Sequence, residues 1–234
     1  MIRVVLFDLD GTLLDRAQSL AAFVAAQHEQ TLALHTIPKG TYVSRFIELD
    51  ARGHVWKDRV YQTLVGEFGI VSCRWEELLR DYEENFARAC IGFPHLHATL
   101  RALRTQGYRL GVVTNGREAF QMRVIRALAI QAYFDTVLIS EAEGIRKPDP
   151  EIFHRALRRL GARPEESVFV GDHPEADIAG ARRAGLRTIW KRDLAWGEPT
   201  RYDAAVNGLD ELPAVLDWLR ASAQQCASAD EGRP

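Results

Sequence analysis

The sequence predicts a three-layer α/β sandwich, a parallel sheet between helical layers, with an α-helical bundle inserted after the first strand. Three observations predict it. An apolar run, Ile2-Arg3-Val4-Val5-Leu6-Phe7, opens the chain and stops at Asp8; from Leu110 onward short apolar runs alternate with amphipathic helical patterns; and residues 17–89 hold helical stripes without a convincing strand. At 234 residues the chain is long enough to bury a sizeable core and carry such an insert.

The opening run is expected to be the first buried strand, and Gly11 lets the chain turn sharply after it. In the insert, Leu20, Phe23 and Val24 mark one helical stripe and Val43, Phe46 and Ile47 a second. Trp56, Val60, Leu64 and Phe68 mark a third, and Leu78, Leu79, Tyr82 and Phe86 a fourth. Beyond the insert, strands are expected at 110–114, 136–139, 167–171 and 187–190, and helices at 97–106, 117–130, 150–160 and 175–184. Asp149-Pro150 supplies an N-cap and an N1 proline, while Gly161 and Gly185 sit where helices should stop. The predicted boundaries are 1–15 with 91–220 for the sheet core, 16–90 for a helical cap, and 221–234 for a frayed tail with little to bury.

A formal net charge of −2 provides no general field for nucleic acid or an anionic membrane, and neither is expected as a partner. The N-terminal apolar run is far too short for a signal peptide and no window approaches a membrane span, so a cytoplasmic location is the expectation. Cys73, Cys90 and Cys226 show no CxxC pairing and are read as reduced. Oligomeric state is not readable from the chain.

Chemistry concentrates at the ends of the predicted strands. Alternation should point Asp8 and Asp10 the same way and Leu9 inward, and two carboxylates held that close call for a cation or a shared proton. Such a pair suits Mg²⁺ and can divide nucleophilic and acid/base duties. The second strand ends in Thr114-Asn115-Gly116, a hydroxyl and a turn able to hold phosphate oxygens. Lys147, in Arg146-Lys147-Pro148-Asp149-Pro150, is one of four lysines in a chain rich in arginine, and a compact ammonium can approach a phosphate and a carboxylate together. The fourth strand ends in Gly171-Asp172, with Asp177 five residues on.

Asp8-Leu9-Asp10-Gly11-Thr12, Thr114, Lys147-Pro148 and Gly171-Asp172-x-x-x-x-Asp177 stand in the order of the four motifs of the haloacid dehalogenase-like (HAD) superfamily, and the chain resembles its phosphatase branch with a helical cap. The resemblance implies a Rossmann-like core and a Mg²⁺-dependent hydrolase of a small phosphorylated metabolite, of the nucleotide or sugar phosphate class, acting through an aspartyl phosphate. It implies Asp8 as nucleophile, Asp10 as acid and base, Thr114, Asn115 and Lys147 on the phosphate, and Asp8, Asp10 (through its carbonyl) and Asp172 on Mg²⁺. Thr12 and Asp177 are expected to play supporting roles. A phosphomutase and a haloacid dehalogenase are the enzymatic alternatives, and a phospho-receiver domain is the non-enzymatic one. Asp50, Arg52 and Lys57, in the most polar and glycine-broken part of the insert, are the candidates for selecting the leaving group.

Overall fold

In the computed structural model, which describes the backbone of residues 1–230 and the side chains of 1–222, the chain divides into two compact units. One comprises Met1–Leu14 and the chain from Gly92 onward, the other Asp15–Ile91. No helix of the described residues is long and apolar enough to cross a membrane.

The first unit contains strands β1 (Val4–Phe7), β2 (Arg109–Thr114), β3 (Thr136–Ile139), β4 (Ser167–Gly171), β5 (Arg187–Lys191) and β6 (Ala204–Val206). Among the described residues they form one sheet of order β3-β2-β1-β4-β5-β6 with every pairing parallel. Burial explains why the strands read as nearly continuous apolar runs: Val4 and Leu6 point to one face and Val5 and Phe7 to the other, yet all four are fully buried. The helix Pro150–Leu160 packs Ile152, Phe153, Ala156, Leu157 and Leu160 against Val4, Leu6, Val113, Leu138 and Phe169. Its ends follow the sequence: Asp149 accepts the Glu151 N–H at 2.9 Å, and Gly161 closes it at φ 55°.

Two elements of this unit depart from expectation. β6 is three residues long and pairs only at the sheet edge, too short to form an apolar run. The predicted helix at 175–184 begins instead as a π-helical turn, Pro174–Ala179, followed by the short α-helix Gly180–Arg183. There the N–H groups of both Asp177 and Ile178 reach the His173 carbonyl, at 3.1 and 3.2 Å. The Asp177 side chain folds back over the start of this turn, its Oδ2 accepting the His173 N–H at 3.0 Å.

The second unit holds the helices Arg16–Gln30, Lys39–Asp50, Lys57–Glu67 and Trp75–Asn85. The first and fourth stripes are buried as expected at Leu20, Phe23, Val24, Leu78, Tyr82 and Phe86. In the middle two, Phe46, Val60 and Leu64 are buried as expected and are joined by Tyr42, Asp50, Lys57 and Tyr61, whereas Ile47 is 42% and Trp56 61% exposed. A polar network fastens the interior: Tyr61 donates to the Gln27 amide oxygen at 2.8 Å, and Gln27 donates to the Leu78 carbonyl and Asp81.

The C-terminal helix runs Leu212–Asp230, through the segment predicted to fray from Ala221. Its alanines and glutamines are good helix formers even without much to bury. Residues 231–234 of the predicted tail, and the side chain of Cys226, lie outside the described residues; Cys73 and Cys90 are thiols, not joined in a disulfide.

Candidate active site

The strand order reverses about β1, which lies between β2 and β4, and open parallel sheets place their ligand sites at such a point, beyond the carboxyl ends of the strands. Phe7 is in register with Val112 and Val170, so Asp8, Thr114 and Asp172 all emerge just past the same level of the sheet. The Asp8 N–H donates to the Val170 carbonyl at 2.9 Å, extending the pairing and fixing where its carboxylate starts. Leu9 is fully buried, and the turn after it is closed by Leu13 and Leu14 N–H bonds to the Leu9 carbonyl, each 2.9 Å. Thr12 is buried with its hydroxyl lacking a partner among the described residues, so these backbone bonds, not that hydroxyl, carry the turn.

Asp8, Asp172 and Asp177 converge: one carboxylate oxygen from each lies within 4.8 Å of the others, and all three residues are buried. Lys147 Nζ donates to Asp8 and, at 2.6 Å, to Asp177 Oδ1. Fully ionized, three carboxylates and one ammonium would leave two negative charges in a buried space. The strain appears in the protonation equilibria. Burial, reinforced by the charges of Asp177, Asp172 and Asp10, holds Asp8 well above the usual carboxylate range even against Lys147. Asp172 is pushed up to about 7 by burial and by Asp177, although Trp196 and Lys147 oppose the shift. Burial works against the Lys147 ammonium too, but Asp177 and Asp8 outweigh it and raise its pKa.

Glycine shapes this space. Gly11 has φ +83°, and a Cβ there would fall 2.4 Å from Asp172 Oδ2. A Cβ at Gly171 would fall 2.5 Å from the Asp177 carboxylate, so this glycine admits Asp177 under the strand end. The deficit of two charges, the oxygen donor set and the glycine cradle fit a divalent hard cation such as Mg²⁺. The third side chain of this cluster is Asp177, for which sequence reasoning expected only a supporting role. The side chain of Asp10 lies outside it, and Asp177 is held in it by the His173 N–H, which donates to Oδ2 at 3.0 Å, and by Lys147.

The remaining expected residues are assembled around this center. Asn115 is bound to Lys147 at both ends of its amide: Nδ2 donates to the Lys147 carbonyl at 3.0 Å, and the Lys147 N–H donates to Oδ1 at 2.9 Å. Its side chain therefore braces the lysine loop, and for a phosphate it leaves its backbone. Two residues escaped the sequence reading. Gln121, on the helix Glu118–Ala127, donates from Nε2 to Asp10 Oδ2 and to Thr114 Oγ1, each at 2.8 Å. Trp196 donates from Nε1 to Asp172 Oδ2 at 2.9 Å, while Trp190 donates to the Asp172 carbonyl at 2.9 Å. For Gln121 a signal was present, a polar residue in line with the buried Val124 and Ile125. Trp196 follows an edge-side strand in a polar loop and carries no periodic signal.

Asp50, Arg52 and Lys57 lie in the helical unit, and the structure separates them. Asp50 is buried and accepts from Arg16 in a fork, at 2.9 and 3.0 Å, as well as from Lys57. Burial alone would raise its pKa, but the bonds and charges of Arg16 and Lys57 hold it below the usual value. Arg52 is exposed on a loop in which Ala51, Arg52 and Gly53 all take positive φ, 45°, 58° and 92°.

Comparison with known proteins agrees with this geometry: residues 5–191 match the family model described as haloacid dehalogenase-like hydrolase. The chain belongs to this family. A glyceraldehyde 3-phosphate phosphatase of Pyrococcus furiosus is 30% identical, with 93% of each chain covered. A phosphoglycolate phosphatase of Aquifex aeolicus is 31% identical over 80% of this chain and 83% of its own. Among solved structures, a 2-haloacid dehalogenase from Pseudomonas syringae is 33% identical, with a TM-score of 0.65 over 94% of this chain and all of that one. The chain is thus a HAD-family hydrolase of Rossmann-like fold, with phosphatases among its relatives at full-length coverage.

Proposed function

We propose that the protein is a Mg²⁺-dependent phosphomonoester hydrolase of a small phosphate ester, working through an aspartyl phosphate on Asp8. The observation that carries this reading is the buried Asp8–Asp172–Asp177 cluster with its deficit of two charges beside Lys147. Mg²⁺ held by Asp8 and Asp172, with Asp177 adjoining, would neutralize phosphate oxygens and the carboxylate repulsion. In the first half-reaction an Asp8 carboxylate oxygen forms a bond to phosphorus as the ester P–O bond breaks, and Asp10 gives its proton to the departing alkoxide. In the second, water attacks phosphorus, Asp10 takes the proton, and the bond to Asp8 breaks to release inorganic phosphate. Lys147 and the Thr114 hydroxyl stabilize the charge on the transferring group.

The relatives named for glyceraldehyde 3-phosphate and phosphoglycolate bring the expected substrate to a short-chain phosphate ester, within the broader class of small phosphorylated metabolites. The chain leaves the sheet unit at Leu14, four residues after Asp10, and the helical unit is assigned the selection of the leaving group on that ground. A dehalogenase reading is favored by the Pseudomonas syringae likeness. Dehalogenation also uses an attacking aspartate, but it does not need a cation site or a proton donor two residues on. The deciding experiment measures phosphate release from glyceraldehyde 3-phosphate, phosphoglycolate, sugar phosphates and nucleoside monophosphates, with and without Mg²⁺, beside halide release from 2-chloropropionate. Mg²⁺-dependent phosphate release supports the proposal. Halide release without phosphate release overturns it.

A further inference from the structure

We propose that Gln121 is a positioning residue for both halves of the reaction, orienting the acid/base carboxylate of Asp10 and the phosphate-binding hydroxyl of Thr114 through one amide nitrogen. This rests on the phosphatase reading above and adds a residue to it. Gln121 is 2% exposed, on the face of its helix that buries Val124 and Ile125, where an amide is retained only if its hydrogen bonds are made. An amide NH₂ has two protons, and both are directed: one to Asp10 Oδ2 and one to Thr114 Oγ1, each at 2.8 Å. The 3.4 Å approach to the Asn115 carbonyl is secondary.

Two chemical consequences follow. Thr114 Oγ1 accepts from Gln121, so its own hydroxyl proton is turned away from the amide and is available to a phosphoryl oxygen. Asp10 is held by Oδ2, which sets the plane of the carboxylate and assigns proton transfer to Oδ1. The neighboring turn is built around the same amide: a Cβ at Gly116, where φ is +155°, would lie 2.9 Å from Gln121 Cγ. Glutamate would not serve, because it would set an acceptor against both acceptors.

The test compares wild type with Gln121→Met, which keeps the length of the side chain and removes both N–H groups. Two substrates are used, the best alkyl phosphate of wild type and p-nitrophenyl phosphate, whose leaving group needs little protonation. Because kcat/KM reports the half-reaction that expels the leaving group, whereas hydrolysis of the aspartyl phosphate is common to both esters, loss of a well-placed general acid should lower kcat/KM on the alkyl ester by about 30-fold or more and on the aryl ester by less than about 10-fold. Gln121→Glu, equal in size, should reproduce the split, and it supplies the measurement if the methionine variant does not fold. Equal losses of kcat/KM on both substrates would mean that Gln121 does not position the general acid, and unchanged kcat/KM would mean that it positions nothing; either result overturns the inference. Failure of wild type to hydrolyze any phosphate ester would instead overturn the phosphatase reading.

Discussion

The sheet unit and the helical unit each bury a cluster of charge, and the two are balanced in opposite senses. Around Asp8, Asp172 and Asp177 carboxylates outnumber the Lys147 ammonium, and burial with like charge raises the pKa of Asp8 and Asp172. Around Asp50 two cations, Arg16 and Lys57, face one carboxylate, and its pKa is lowered. The first cluster carries an excess of carboxylate charge that a divalent cation would relieve. In the second the carboxylate is fully paired, and the cluster ties together three helix ends, since Arg16 begins one helix, Asp50 ends the next and Lys57 begins the third. A buried carboxylate is therefore a candidate reactive group where its neighbors fail to neutralize it, and part of a structural clamp where they succeed.

The sharpest way to separate the two is Asp8→Asn. It should lower kcat by roughly four orders of magnitude, the scale of losing a covalent nucleophile, while the Tm does not fall because a like charge has been removed. Phosphate-release assays and thermal melts check both parts, and activity within tenfold of wild type would break the assignment. Asp50→Ala should do the reverse, destabilizing by about 3 kcal/mol because two cations lose their buried counter-charge. Urea titration measures it.

Mg²⁺ extends the contrast, since only the deficient cluster should respond. At about 100 times its Kd the ion should stabilize the metal-free protein by about 2.7 kcal/mol, and the increment should persist in Asp50→Ala. Melts with EDTA and with Mg²⁺ test this; no shift in wild type would deny the cation site. Acid gives a smaller effect. The folded pKa of Asp50 lies below its unfolded value of 3.8, so its stabilization is complete well above that value and is lost as pH falls through 3.8 and the lower folded pKa. Asp50→Asn should accordingly show a shallower loss of stability below about pH 4, read from urea midpoints. Least of all should be Arg52→Ala on the exposed loop: less than about 0.5 kcal/mol in stability, with a changed ratio of kcat/KM between a short-chain ester and an aryl phosphate. An unchanged ratio would remove Arg52 from substrate selection.

Much of this was legible in the sequence because each element announces itself locally. Parallel strands buried on both faces read as apolar runs, and their ends carry the acids, hydroxyl and lysine that the topology then gathers. Asp149, Pro150 and Gly161 bound their helix by cap chemistry alone. From the sequence alone came the α/β class, the inserted four-helix segment and the order of the strand-end residues, all set by short-range pattern. Tertiary structure decided what depends on phase and distance. The His173 N–H and Lys147 hold Asp177 in the carboxylate cluster, in the space that Gly171 leaves. The packing of the middle helices buried Asp50 and Lys57 as a clamp and left Trp56 outside. Gln121 and Trp196 met Asp10 and Asp172 across 111 and 24 residues of chain, contacts that no local periodicity encodes because the partners become neighbors only when the sheet is assembled.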